Sequence, residues 1–394
     1  MNDSKCVRRS FVAEHIKSLP KSGIREFFDL VSTMENVVSL GVGEPDFVTP
    51  WGIRESAIFS LEKGRTSYTS NLGTIALRRE ICKYVGKNYA VEYNPETECL
   101  VTIGVSEALD LAIRALVNPG DEVIYTEPCF VSYPAEIRMA HGVPVVLETS
   151  VGDEFALNPA RLREKITAKT KILLINFPCN PTGAVMDRAQ LEEIAELAVK
   201  HDLVVITDEI YSELRYEGEH VSIAALPGMR ERTIFLHGFS KAFAMTGWRV
   251  GYACGPHELI DAMMKIHQYS IMCASITAQE AALEALRHGE KAMAEMRESY
   301  LERRNLIVNG LNRIGLPCLM PKGAFYAFPS VVPTGMTSVE FARGLLEAER
   351  VAVVPGTAFG ACGEGFVRCS YAASVKNIVT ALERIERYLT KIKK

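Results

Sequence analysis

Lys241 stands in "HGFSKAFAMTGWRVGY" (237–252) among small, aromatic and apolar neighbours, with Arg249 close behind and an apolar run, "TIFL", leading into it. An amine held in a desolvated pocket near another cation has a lowered pKa and can attack a carbonyl. An arginine offers a fixed fork of donors suited to a phosphate. Asp208 closes an apolar run in "LVVITDEIYSE", 33 positions before Lys241 (241 − 208), and Tyr211 follows three residues later. A helical turn there would put the phenol on the same side as the carboxylate. A carboxylate at the bottom of a pocket can hold a protonated ring nitrogen through a charge-assisted hydrogen bond. Singly, each residue has an ordinary use: a lysine in solvent, an aspartate capping a helix. Jointly, they fit a cofactor that needs both a Schiff base and a pyridinium partner, which is pyridoxal 5′-phosphate.

Two other segments carry candidate groups. "NFPCNPTGAV" (176–185) has turn chemistry at Asn180-Pro181 and Thr182-Gly183. It reads either as a plain strand-to-helix connection or as one that turns the Asn180 amide into the pocket. "GVSEALDLA" (104–112) puts Ser106 and Glu107 at a helix start, where free N–H groups and the helix dipole suit a phosphate. A simple capping box reads equally well there.

These residues need a scaffold that delivers strand ends. Short apolar runs, "CLVTI" (99–103), "EVIYT" (122–126), "VPVVLE" (143–148), "KILLIN" (171–176), "LVVIT" (203–207) and "TIFLHGF" (233–239), alternate with helix-period segments such as "AQLEEIAELAVKH". Runs that are apolar at every position are expected of strands covered on both faces by crossover helices. The pattern predicts an α/β fold: a large domain with a mostly parallel mixed sheet flanked by helices in three layers. After about residue 276 a long helical stretch leads to short strands around "AFYAFP", "VAVVPG" and "FVRCSYA", the texture of a smaller α+β domain. Residues 45–285 are assigned to the large domain, and 1–44 with 286–394 to the small one. In open α/β sheets ligands collect at the carboxyl ends of the strands, which is where the candidate residues fall.

Composition narrows the partners. The chain has 394 residues, 48% hydrophobic and 23% charged, with a formal net charge of −4. That gives no basic footprint for nucleic acid and no polybasic segment for a membrane surface. Ten cysteines are scattered without a C-x-x-C pair, against a zinc ribbon or a thioredoxin-like site, and no metal site is expected. The first residues lack the continuous apolar core of a signal peptide, and no apolar run reaches the roughly 20 residues that span a bilayer. A reduced, cytoplasmic setting is expected.

Seven segments, "SLGVGEPDF", "SYTSNLGTIALR", "NFPCNPTG", "DEIYSEL", "GFSKAFAMTGWRVGY", "GAFYAFP" and "VRCSYA", follow one another along nearly the whole chain. In that order they resemble the fold-type I, pyridoxal-phosphate-dependent aminotransferases of the class I/II family, in the gamma subgroup. The resemblance implies that Lys241 forms the internal aldimine and shuttles the proton, and that Asp208 pairs with the pyridine nitrogen. Tyr211 and Asn180 would bond the ring's phenolic oxygen, and Phe130 would stack on the ring. Ser240, Arg249 and the amides near Val105 and Ser106 would hold the phosphate. Tyr68 would reach the phosphate of a neighbouring subunit, implying a homodimer with shared active sites. Arg368 would grip the substrate α-carboxylate, with the Gly43 backbone close to it.

The resemblance implies ping-pong transamination between an L-amino acid and a 2-oxo acid. The expected donor is aromatic or broadly chosen, and the expected acceptor is 2-oxoglutarate. An aspartate- or alanine-type enzyme, a C–S lyase of the same fold, and a non-catalytic ligand-sensing domain are the alternatives. Some relatives that take acidic substrates carry a lysine where this chain has Ser106; Arg25 is a candidate to replace it.

Overall fold

A computed structural model describes residues 11–17, 19 and 34–392 of the chain. A single helical turn, α1 (Glu14–Lys17), and a two-residue strand, β1 (Val38–Ser39), precede the long helices α2 (Trp51–Glu62) and α3 (Ile75–Tyr89). Strands and helices then alternate: β2 (Cys99–Thr102), α4 (Gly104–Leu116), β3 (Glu122–Glu127), α5 (Ser132–Met139) and β4 (Val143–Glu148). The series continues through α6 (Pro159–Lys165), β5 (Thr170–Asn176), α7 (Arg188–Lys200), β6 (Val204–Asp208), β7 (Thr233–Gly238) and β8 (Gly251–Cys254).

These strands form one seven-stranded sheet in the order β2-β8-β7-β6-β5-β3-β4. Only β8 runs against its neighbours. The apolar runs become strands because they are covered on both faces. Ile172 and Leu174 of β5 pack into one core with Leu109, Ile113 and Ile137, while Leu173 and Ile175 pack into another with Leu191 and Ile194. Helix α7 lays Leu191, Ile194, Ala195 and Ala198 against the sheet, the spacing of one helical face. Its start is closed by a capping box, in which the Asp187 side chain accepts from Gln190 N at 2.8 Å and Gln190 accepts from Asp187 N. Strand β8 lies in "VGYACG", which was not read as a strand; its four buried residues fill the gap between β2 and β7.

Helices α8 (His257–Ser270), α9 (Ile276–His288) and α10 (Glu290–Arg313) follow. The stretch expected to be one long helix is thus two, divided at Gly289. A Cβ there would lie 2.8 Å from the ring of Phe243, so close packing on the large domain coincides with the break. The remainder comprises β9 (Tyr326–Ala327), α11 (Ser338–Glu349), β10 (Val351–Ala352), β11 (Val354–Pro355), β12 (Val367–Ser370) and α12 (Val375–Ile392). Strands β11, β12 and β9 form an antiparallel sheet, and β10 pairs in parallel with β1. A separate core joins Leu40 to residues of α10, α11 and α12. No described helix is long and apolar enough to cross a membrane.

Candidate active site

The parallel strands end in register: Asn176 pairs with Asp208, and Asp208 with Leu236. The segments leaving β5, β6 and β7 therefore open at one edge of the sheet, onto a cavity of about 430 Å³. Lys241, Asp208, Tyr211, Asn180, Phe130, Val105, Ser106, Ser240, Arg249, Arg368 and Gly43 all line it; Glu107 and Tyr68, whose side chain is exposed, do not, and Arg25 lies outside the described residues.

Asp208 is the last residue of β6 and 6% exposed. Tyr133 donates to its Oδ2 at 2.8 Å and the Ile210 N–H to its Oδ1 at 3.3 Å. Burial pushes the carboxyl up to about 6, against the pull of these two donors. The Asn176 side chain ties β5 to this point by donating to the Asp208 carbonyl oxygen at 2.7 Å. Tyr211 is reached through a turn rather than an α-helix, and its hydroxyl lies 2.7 Å from that of Tyr326.

Lys241 sits in the turn after β7, ringed by protein but facing the cavity. Its Nζ donates to the Gly43 carbonyl oxygen at 2.7 Å. Desolvation and the Arg368 guanidinium lower the amine to about 8. At neutral pH a far larger fraction is therefore the free, nucleophilic base than at its ordinary 10.5.

Arg368 comes from β12 and is buried. Its guanidinium lies between the rings of Tyr326, at 4.4 Å, and Phe359, at 4.7 Å. It donates to Asn180 Oδ1 at 2.8 Å and to the Gly41 carbonyl oxygen at 2.7 Å, which leaves Nε buried without a partner. Asn180 thus spends its oxygen on Arg368 and keeps its N–H donors for the cavity. A Cβ on Gly43 would come within 2.7 Å of the Tyr326 hydroxyl, so the chain passes here only as glycine.

Helix α4 starts at Gly104, two residues before the expected start at Ser106, and the N–H groups of its first turn have no acceptor within the helix. Its N-cap side chain makes no capping bond. Instead Glu107 accepts from Ile103 N at 2.5 Å and meets His267 at 2.7 Å, while Ser106 stays exposed on the cavity wall. Gly104 has φ +71°, and a Cβ there would meet the Arg249 guanidinium at 2.8 Å. Arg249, itself at φ +53°, is folded back over the helix start, and Ser240 lines the same cavity. Helix N-terminus and guanidinium together form a cradle for an anion. Phe130 lines the cavity and meets Tyr133 edge-on at 5.8 Å.

Sequence reasoning gave no role to Tyr133, Tyr326 or Phe359. Tyr133 stands three residues after Phe130, and Tyr326 sits in the marked segment "GAFYAFP". Their phenols had no local reason to be chosen.

The model of the family "Aminotransferase class I and II" matches residues 35–385. The Bacillus subtilis protein YugH is 54% identical over 97% of this chain and 99% of its own length. The aspartate aminotransferase of Pyrococcus abyssi is 45% identical over 96% of this chain and 98% of its own. A solved structure of an aromatic aminotransferase from Pyrococcus horikoshii superposes with a TM-score of 0.90 at 46% identity, covering 93% of this chain and 99% of that one. With a fold and a length shared end to end with such enzymes, this chain belongs to the class I and II aminotransferases.

Proposed function

We propose that this aminotransferase moves an amino group from an L-amino acid, aromatic or broadly chosen, to 2-oxoglutarate in a ping-pong cycle, using pyridoxal phosphate held in the cavity described above. Enzymes of this family use that cofactor, which when bound supplies an aldehyde to capture the amine and a ring to take up electrons. The carrying observation is one cavity that joins a depressed lysine amine, a buried carboxylate, an anion cradle and a caged guanidinium.

The fit is supported at each end of the cofactor. The N-terminus of α4 with Arg249 and Ser240 suits the phosphate, and the bare Cα of Gly104 lets the Arg249 guanidinium close over that helix start. Asp208 suits a protonated ring nitrogen, with Tyr133 favouring its ionised form. Tyr211 and the Asn180 N–H donors face the cavity as partners for the ring's phenolic oxygen, and Phe130 offers a ring face. Lys241 would serve as the nucleophile toward the cofactor's aldehyde and as the base that moves a proton at the substrate Cα. Arg368 orients the α-carboxylate: two of its donors are committed to Asn180 and Gly41, and the orphaned Nε is among those left. A buried carboxylate needs such a partner.

The substrate side chain would lie against Val42, Leu109 and Ile210, apolar groups that favour an apolar or aromatic donor. Aspartate is the second reading, favoured by the Pyrococcus abyssi relative. A homodimer with shared sites belongs to the same reading. Tyr68 is 83% exposed, and α2 exposes Trp51, Ile58 and Leu61 along one side as an apolar face for a second copy of this chain. A cytoplasmic setting is supported by the nine described cysteines, all free thiols.

Borohydride reduction of the cofactor-loaded protein, followed by peptide mapping, tests the site: the label is expected on Lys241, and a label on another lysine overturns the assignment. Steady-state kinetics with phenylalanine, tyrosine, aspartate and alanine against 2-oxoglutarate test the substrate. A kcat/KM highest for aspartate would replace the aromatic reading with the second one.

A further inference from the structure

We propose that Tyr326 is a positioning residue for the reaction, its ring setting the plane of Arg368 and its hydroxyl aiming the proton of Tyr211; this rests on the cofactor reading above. Tyr326 is 1% exposed and belongs to β9, where it pairs with Ser370 of β12. Arg368 is the diagonal neighbour two residues along β12, on the same face of the sheet. That register explains why the guanidinium lies 4.4 Å from the Tyr326 ring, with Phe359 closing its other face. A guanidinium caged in this way cannot tilt, so its unused donors keep one direction.

The hydroxyl does a second task. It lies 2.7 Å from the Tyr211 hydroxyl and 3.5 Å from the Gly43 carbonyl oxygen, which already accepts from Lys241 at 2.7 Å. A phenol has one proton to give. The Gly43 contact is at the limit of a hydrogen bond, so the nearer Tyr211 is the better acceptor. Acidity points the same way. Burial pushes both phenols up, Tyr211 further than Tyr326, and the Arg368 guanidinium pulls both back. Tyr326 therefore donates, and Tyr211 keeps its own proton for a third oxygen in the cavity, as a stronger donor for being a bonded acceptor. The other charged groups around this pair are Lys241 from the turn after β7, Asp208 at the end of β6 and Glu44 next to Gly43. None of these is altered by changing Tyr326 itself.

Two variants separate the tasks. Tyr326→Phe keeps the ring and removes the hydroxyl; Tyr326→Leu removes both. In protein loaded with pyridoxal phosphate, the pH midpoint of the visible absorption band reads the donor strength of Tyr211. The dissociation constant of 3-phenylpropanoate, followed through the same band, reads Arg368. Tyr326→Phe is expected to raise the midpoint by about half a unit or more and to leave carboxylate binding within about twofold of wild type. Tyr326→Leu is expected to show the same midpoint shift and to bind the carboxylate about tenfold more weakly. An unshifted midpoint in Tyr326→Phe overturns the role of the hydroxyl, and wild-type carboxylate affinity in Tyr326→Leu overturns that of the ring. If wild-type protein itself forms no visible band, or borohydride marks a lysine other than Lys241, the cofactor reading falls and this inference falls with it.

Discussion

Replacing Asp208 by Asn should move stability and turnover in opposite directions. Asp208 has an ordinary pKa of 3.8, and burial raises it to about 6 in the folded protein. A carboxyl whose folded pKa lies above its unfolded value keeps a proton that the unfolded chain has released. Its ionisation therefore costs stability as pH rises from about 4 to about 6, and the cost is complete above that window. Two pKa units correspond to about 3 kcal/mol, of which about 1 kcal/mol is lost in the amide because its NH2 would face the Ile210 N–H in place of an accepting oxygen, leaving about 2 kcal/mol. An amide carries no charge, and Tyr133, 2.8 Å away, can still donate to its oxygen. Cofactor-free Asp208→Asn should thus be more stable than wild type at pH 7.5 by about 2 kcal/mol, or 2 to 3 °C in Tm for a chain of this length. The gap should shrink toward pH 4.5. Turnover should fall about 10²- to 10³-fold, because a neutral amide cannot hold a protonated ring nitrogen as a carboxylate does. Calorimetry of both cofactor-free proteins across pH 4.5–7.5 measures the first effect and steady-state kinetics the second. A Tm difference that does not grow with pH refutes the burial argument, and undiminished turnover refutes the role given to the carboxylate.

Other outcomes follow from the same geometry. Arg368→Lys exchanges a caged fork for a single ammonium, and kcat/KM for amino acids should drop by about 30- to 100-fold, most of it in KM; an unchanged KM would mean that another group binds the α-carboxylate. Tyr68→Ala and Lys241→Ala should each abolish most activity. Mixing the two after unfolding and refolding together should restore about a quarter of it, because a mixed dimer keeps one intact site of two. No recovery in a mixture that forms dimers would assign Tyr68 to its own subunit or to no site.

Much of the seven-stranded sheet was legible because its strands are buried on both faces. "VPVVLE" spans β4 residue for residue, and "KILLIN" and "LVVIT" fall within one residue of β5 and β6. Strand β8 escaped because its first two residues, Gly251 and Tyr252, close the lysine segment, where glycines and an arginine interrupt the apolar pattern. The division of one helical stretch at Gly289 escaped because the close contact there, with the ring of Phe243, comes from 46 residues away (289 − 243). The pairing of β1 with β10 is likewise a matter of two-residue strands meeting across 313 positions (351 − 38), too short to signal themselves.

The sequence by itself determined which side chains could react, an amine, a carboxylate, a phenol and two guanidiniums, and placed each at or after an apolar run or inside a marked segment. Those are local properties, since residue type and the chain's own periodicity set them. Only the tertiary structure decided how each one is tuned. Tyr133 from a helix after β3 reaches Asp208 on β6, Tyr326 and Phe359 enclose Arg368, and Gly43 from the N-terminal segment brings its carbonyl to Lys241. Burial and contacts between residues distant in sequence produce these shifts in charge and direction, and neither exists until the strands have been laid side by side.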